Sequence, residues 1–472
     1  MKKRFILVLT LCACLLGLSA QEHPYAHIKG IWEGKLHINN DYSLTTVMVV
    51  KENGDSVHVE LDSPDQYSTG IQLSGFSCVD SIINFTIDPL KIKFMGRLNA
   101  NKTISGTFTQ SGTSLPLTMV KVDNRKQYLR PQTPKLPYPY EEDFITLEAQ
   151  SVINNPKAKV YGTLTLPSEK PKATVIMISG SGWQDRDETI YMHKPFLVIA
   201  DHLTRLGYAV FRYDDLPPAV FAQCTTYDFA KIVEFVMAEL AKHPRLEGSP
   251  IGLIGHSEGG LVAAMVAAQN KDVAFVVSLA GMADNLTNTL LYQNEFLLDS
   301  NTTAAQRKSS RKLNQDIYKI MVNEPTINAA SSKFINLISK YTAKMTDEQI
   351  AAAHLTKREQ LLMSQQLFNP WMFKLFKIDP SYYFSKITCP LLALNGEKDT
   401  QVDYKSNLAI IQKYTKNNPN VTCESVPNVN HLFQTCETGL FDEYGEISQT
   451  FNPLVLQKIS YWMNNLKLKS EK

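Results

Sequence analysis

The chain has no surplus of charge of either sign: 48 lysines and arginines face 46 acidic residues in 472. A nucleic-acid binder needs a basic surplus to displace counterions from phosphate, so nucleic acid is not an expected partner. Cysteine is scarce. The five cysteines beyond the first twenty residues, Cys78, Cys224, Cys389, Cys423 and Cys436, form no C-x-x-C pair. That excludes a disulfide scaffold and a zinc site built on thiolates. Burial as small apolar side chains is expected for each, with one bridge among Cys389, Cys423 and Cys436 as the alternative. No histidine pair shows metal-ligand spacing on one helix face, so neither metal nor cofactor is expected. Long apolar runs are missing too, and no segment reaches the roughly 18 to 20 residues a bilayer span requires.

The first twenty residues have a different character. Lys2, Lys3 and Arg4 precede an apolar core from Phe5 to Leu16 and the small-residue end Gly17-Leu18-Ser19-Ala20. This pattern predicts a signal peptide cut before Gln21 and an exported protein, periplasmic or secreted. The alternative is a lipoprotein signal at Leu11-Cys12-Ala13-Cys14, leaving a lipid anchor on Cys14.

From Tyr25 to Val122 the chain alternates over short runs, such as Leu44 to Val50, Ser56 to Leu61, Ile82 to Ile87 and Thr103 to Thr109, broken by Asn, Asp and Gly. The pattern predicts an all-β barrel or sandwich module over 25–122, with Trp32 in its core. Pro131, Pro134, Pro137 and Pro139 then mark 123–140 as a linker, because prolines at that density cannot join a sheet interior.

Beyond it, over 141–472, apolar runs alternate with helical patterns, which predicts a mostly parallel sheet covered on both faces. Phe144 to Gln150 and Lys159 to Leu166 suit an opening hairpin. Thr174 to Ile178, Tyr208 to Tyr213, Ile251 to Ile254, Val273 to Leu279, Pro390 to Leu394 and Val421 to Val426 suit buried strands. A helix is expected from His193 to Leu206, and Thr226 is the expected cap of a helix reaching Ala241. Residues 284–385 interrupt the alternation with helical spacing and read as a cap insertion.

Gly255-His256-Ser257-Glu258-Gly259 follows an apolar strand and opens a helix, the context in which G-x-S-x-G presents a serine on a sharp turn. A serine hydroxyl is a poor nucleophile until a base takes its proton, and the base needs a carboxylate to hold its tautomer. Asp399, on the loop after Leu391 to Leu394, is the expected acid, with Glu397 and Asp403 as rivals. His431, beyond the last strand, is the expected base. The backbone N–H groups of Glu258 and Ser181 are the expected oxyanion donors, with Gly182 close behind. His256 is assigned packing or backbone support, and the charged run Gln184 to Glu188 a salt-bridged loop.

These residues resemble those of exported bacterial esterases of the α/β-hydrolase superfamily, related to dienelactone hydrolases, serine aminopeptidases and the prolyl oligopeptidase catalytic domain. The likeness rests on Ser179-Gly180-Ser181-Gly182 with Gln184 to Glu188, on Arg212-Tyr213-Asp214-Asp215, and on Gly255 to Gly260. Leu394 to Asp399 and Asn430 to Gln434 extend it, and Leu61 to Gln66 carries it into the β-module. It implies an α/β-hydrolase fold and a Ser257–His431–Asp399 triad. The implied activity is hydrolysis of small-molecule carboxylic esters of short acyl chain; a serine exopeptidase and a catalytically inert binding protein are the competing readings. Trp183 stands where such relatives carry proline, which predicts a narrowed acyl pocket. Leu216-Pro217-Pro218-Ala219 replaces an Arg-Gly-x-Gly-type turn.

Overall fold

The computed structural model describes residues 25–38, 43–53, 56–66, 68–123, 130–298 and 302–467. The expected signal segment, with Cys12 and Cys14, lies outside them. The chain divides into two compact units, Met1–Gln127 and Tyr128–Lys472.

The first unit is one antiparallel sheet: β1 (Gly30–His37), β2 (Ser43–Asn53), β3 (Ser56–Ser63), β4 (Ser68–Gln72), β5 (Gly75–Val79), β6 (Ile82–Ile87), β7 (Ile92–Leu98), β8 (Thr103–Gln110) and β9 (Thr113–Val122). Their spatial order is β4-β3-β2-β1-β9-β8-β7-β6-β5. The barrel alternative is realised as an open half-barrel. Alternation along the strands turns Trp32, Met48, Leu61, Phe85, Phe94 and Met119 into one core. Trp32 is 1% exposed and its indole N–H donates to the Ile28 carbonyl, so the aromatic is buried without an orphaned donor.

The second unit is built on β10 (Glu141–Glu148), β11 (Lys159–Leu166), β12 (Thr174–Ile178), β13 (Ala209–Tyr213), β14 (Ile251–His256), β15 (Val273–Leu279), β16 (Leu391–Gly396) and β17 (Val421–Val426). They lie in the order β10-β11-β13-β12-β14-β15-β16-β17. β10 and β11 form the expected hairpin, β11 pairs antiparallel with β13, and the remaining strands are parallel. Every residue of β12, β13, β14 and β16 is buried, as continuous apolar runs covered on both faces require.

Helix Pro195–Arg205 begins later than its spacing suggested: His193 precedes it, bridged to Ile190, and only His202 is helical. The cap of helix Thr226–Leu240 is Thr225, whose hydroxyl and Asp228 form a capping box, and Thr226 is the first helical residue. Among the described residues, seven helices from Leu286–Leu297 to Pro380–Phe384 fill the crossover between β15 and β16. The described part of the proline-rich segment, 130–140, lies within the second unit. Arg130 donates to the Tyr191, Gly445 and Ile447 carbonyls, and the Tyr140 hydroxyl to Asp201. No helix among the described residues is long and apolar enough to cross a membrane.

Candidate active site

β14 empties at the carboxyl edge of the sheet into Ser257, which adopts φ 54° and ψ −120° ahead of helix Glu258–Gln269. A non-glycine residue held at positive φ costs about 1–3 kcal/mol and survives only where surroundings impose it. Here they do. The Ser257 N–H donates to the Leu279 carbonyl at 2.9 Å, and its carbonyl accepts from Gly260 and Met282. The turn also needs bare backbone on either side. A Cβ on Gly255 would lie 2.1 Å from the Gly259 oxygen, and one on Gly259 would lie 2.2 Å from the Ile178 oxygen.

Two loops from neighbouring strands supply the other groups. Beyond β16, Asp399 is fully enclosed: one oxygen accepts the N–H groups of Gln401 and Val402, the other the Asn395 amide and His431 Nδ1, the last at 2.8 Å. Four donors around one carboxylate fix its rotamer and leave His431 Nε2 as the free ring nitrogen. The rivals have other duties. Glu397 accepts from the Ser425 hydroxyl, and Asp403 caps helix Tyr404–Tyr414.

The structure thus joins Asp399 to His431 and places the residue beside Ser257 against them. The His256 ring lies 4.7 Å from the His431 ring, and its Nε2 is 3.0 Å from the His431 carbonyl. No hydrogen bond links the Ser257 hydroxyl to His431 among the described residues. Such bonds are often long without substrate and tighten when it binds.

The loop after β12 faces the serine, where a Cβ on Gly180 would lie 3.1 Å from Ser257 Cβ. The Gly180 N–H is taken by Glu188, whereas those of Ser181 and Gly182 have no acceptor among the described residues. The Glu258 N–H lies in a first helical turn, which has no intrahelical acceptor. The charged run is salt-bridged as expected: Arg186 pairs with Asp214, and Asp187 with Arg212 and Lys194. Trp183 is about half exposed and its indole donates to the Leu216 carbonyl, so the two departures from the esterase pattern touch each other.

The Glu258 side chain was not foreseen. Buried at 3% exposure, it accepts the Ser181 hydroxyl at 2.8 Å, the Thr226 hydroxyl at 2.7 Å and the Trp371 indole N–H at 2.9 Å. Burial pushes its carboxyl pKa up against those donors. Trp371 belongs to helix Pro370–Leu375 of the insertion, so the insertion reaches the residue next to the serine. From helix Leu286–Leu297, the Tyr292 hydroxyl donates to the Asp399 carbonyl. No motif in the insertion announced either contact.

Behind the Gly-rich loop lies a cavity of about 20 Å³, lined by Val160, Tyr213, Asp215, Leu216, Phe221 and Glu258 among others. Burial raises the Asp215 carboxyl to about 7. Among the described residues no group of three or more His, Cys, Asp or Glu side chains stands together as a metal cluster. All five described cysteines are free thiols.

The strand order, the helical crossovers and the strained serine between β14 and its helix define an α/β-hydrolase fold. Within that class, the BD-FAE family profile matches residues 164–414, more than half of the chain, and the protein belongs to that family. Curated relatives include human acyl-coenzyme A thioesterase 1, 27% identical over 180 residues, which are 38% of this chain and 40% of the relative. Mouse mitochondrial acyl-coenzyme A thioesterase 2 is 29% identical over 142 residues, 29% of each chain. The chain therefore spans two fifths or less of the length of these relatives. Among solved structures, Est1E from Butyrivibrio proteoclasticus is similar with a TM-score of 0.37 at 15% identity, covering 68% of this chain and 97% of that one. The dienelactone hydrolase from Anabaena variabilis has a TM-score of 0.39 at 14% identity, covering 70% and 100%.

Proposed function

We propose that the protein hydrolyses carboxylic esters through an acyl-enzyme on Ser257. The buried Asp399–His431 hydrogen bond beside a strained serine is the observation that carries the reading. His431 Nε2 takes the hydroxyl proton as Oγ attacks the ester carbonyl, and the resulting oxyanion is met by the Ser181 and Glu258 N–H groups. Collapse expels the alcohol, which leaves with the proton from His431. Water then repeats the sequence on the acyl-enzyme, releasing the acid and restoring the hydroxyl. Asp399 keeps Nδ1–H in place and stabilises the imidazolium without itself gaining a proton.

Short acyl chains are the expected substrates, as the resemblance to short-acyl esterases implies, and a series of p-nitrophenyl esters of increasing chain length tests it. Thioesters belong in the same substrate panel, since acyl-coenzyme A thioesterases are among the relatives. The expected signal segment makes the working compartment periplasmic or extracellular, which amino-terminal sequencing of the mature chain tests. Ser257→Ala abolishes turnover of p-nitrophenyl acetate and butyrate and leaves the unfolding transition in place. Retained turnover sinks the assignment. A parallel series of aminoacyl anilides separates esterase from exopeptidase, and a fluorophosphonate adduct on Ser257 separates either from an inert binding protein.

A further inference from the structure

His256 is buried at 7% exposure directly before the nucleophile, yet it takes no part in the chemistry above. Its two ring nitrogens meet two oxygens: Nδ1 lies 2.9 Å from Glu188 Oε1, and Nε2 lies 3.0 Å from the His431 carbonyl. A carbonyl has no proton to give, and Glu188 Oε1 already accepts the Gly180 N–H at 2.8 Å. Two acceptors require two N–H groups, and a neutral imidazole has only one. We propose that His256 is a positioning residue that stands as an imidazolium and ties the His431 loop to the Gly-rich loop through Glu188.

The surroundings agree with a charged ring. Burial works against the imidazolium, but the Glu188 carboxylate, the His431 carbonyl and the Asp399 charge outweigh it, and the pKa is displaced upward. The His431 ring also faces it, with ring centroids 4.7 Å apart. The remaining walls carry no titratable side chain: helix Pro195–Arg205 contributes Pro195, Phe196 and Ile199, β15 contributes Leu279, and Leu432, Phe433 and Phe451 complete them. Glu188 is 5% exposed, so the pair is a desolvated ion pair whose members each hold a backbone group of a functional loop. Run in order, Gly180 N–H, Glu188, His256 and the His431 carbonyl form one rigid path. Gly180 precedes the Ser181 oxyanion donor, and His431 is the base. This pair of side chains therefore links base and oxyanion site directly, beside the Asp399–His431 and Ser181–Glu258 bonds that hold each one.

The inference rests on the triad reading, and its test keeps the two apart. In Ser257→Ala protein, long-range proton–nitrogen NMR of the histidine rings at pH 8 shows one imidazole with both nitrogens protonated. That signal disappears in the Ser257→Ala/His256→Gln protein, and Glu188→Gln turns it into a neutral tautomer. A neutral His256 at pH 8 in the Ser257→Ala protein overturns the proposal even when Ser257→Ala has no activity. In protein with Ser257 intact, Glu188→Gln and His256→Gln lower kcat by about 10²-fold, the scale of an ångström-sized displacement of a reacting group, while KM stays within about twofold. Unchanged kcat in Glu188→Gln overturns it as well, and that variant serves if His256→Gln does not fold.

Discussion

A buried carboxylate with four donors can be replaced by an amide of the same shape, but the amide no longer holds one imidazole tautomer. Asp399→Asn is accordingly expected to cost about 1–3 kcal/mol in chemical denaturation, because the amide nitrogen faces donors the carboxylate satisfied. It also lowers kcat by about 10⁴-fold, measured by initial rates on p-nitrophenyl acetate. His193 carries a prediction of another kind. It is buried against Thr450 and the Tyr444 carbonyl, and burial with the nearby Arg130 charge lowers its pKa from 6.5 to about 4. The native state resists a proton that the unfolded chain accepts. The stability His193 contributes is therefore whole above pH 6.5 and is lost as pH falls toward about 4. Urea unfolding at pH 7.5 and 4.5 measures the loss, and His193→Gln flattens that part of the curve.

At the scale of elements, the elbow depends on a glycine and the insertion on a tryptophan. Gly259→Ala forces a Cβ against the Ile178 and Ser179 carbonyl oxygens at the exit of β12, neither of which can yield. Its expected cost is about 3 kcal/mol in chemical denaturation, with loss of fluorophosphonate labelling. Trp371→Phe keeps a ring but removes the indole N–H from Glu258, and the buried carboxyl loses a donor worth about 1–3 kcal/mol. Chemical denaturation reads that loss, and KM rises as the insertion loosens over the serine.

The sequence made some elements plain and hid others, for physical reasons. Thr174–Ile178 and Val273–Leu279 were legible because central parallel strands are nearly unbroken apolar runs. Ser68–Gln72 and Gly75–Val79 were not, because the outermost strands of the half-barrel bury none of their residues fully and leave little alternation to see. In the candidate site, chain order nominated Ser257, Asp399 and His431, and the contact between the last two is present. The partners of Glu258 and His256 were invisible because they come from Trp371 and Glu188, which tertiary packing alone brings near.

Across the whole molecule, each unit has a core of its own: Trp32, Phe85 and Phe94 in the first, and the layers on either face of β10–β17 in the second. Residues 128–472 expressed alone are therefore expected to fold cooperatively and retain esterase turnover per molecule, read by calorimetry and by rate. Failure of that fragment to fold would show that the catalytic core is not self-sufficient.

The five free thiols have a practical outcome. Burial drives Cys224, Cys389, Cys423 and Cys436 up to about 11, and raises Cys78 as well. Electrophiles and oxidants attack the thiolate, and at neutral pH a thiol of that kind is ionised in only about one molecule in ten thousand. Iodoacetamide and mild peroxide should then pass the enzyme by. If the proposed esterase activity holds, extract treated with an alkylator would keep it while cysteine-dependent hydrolases fall silent.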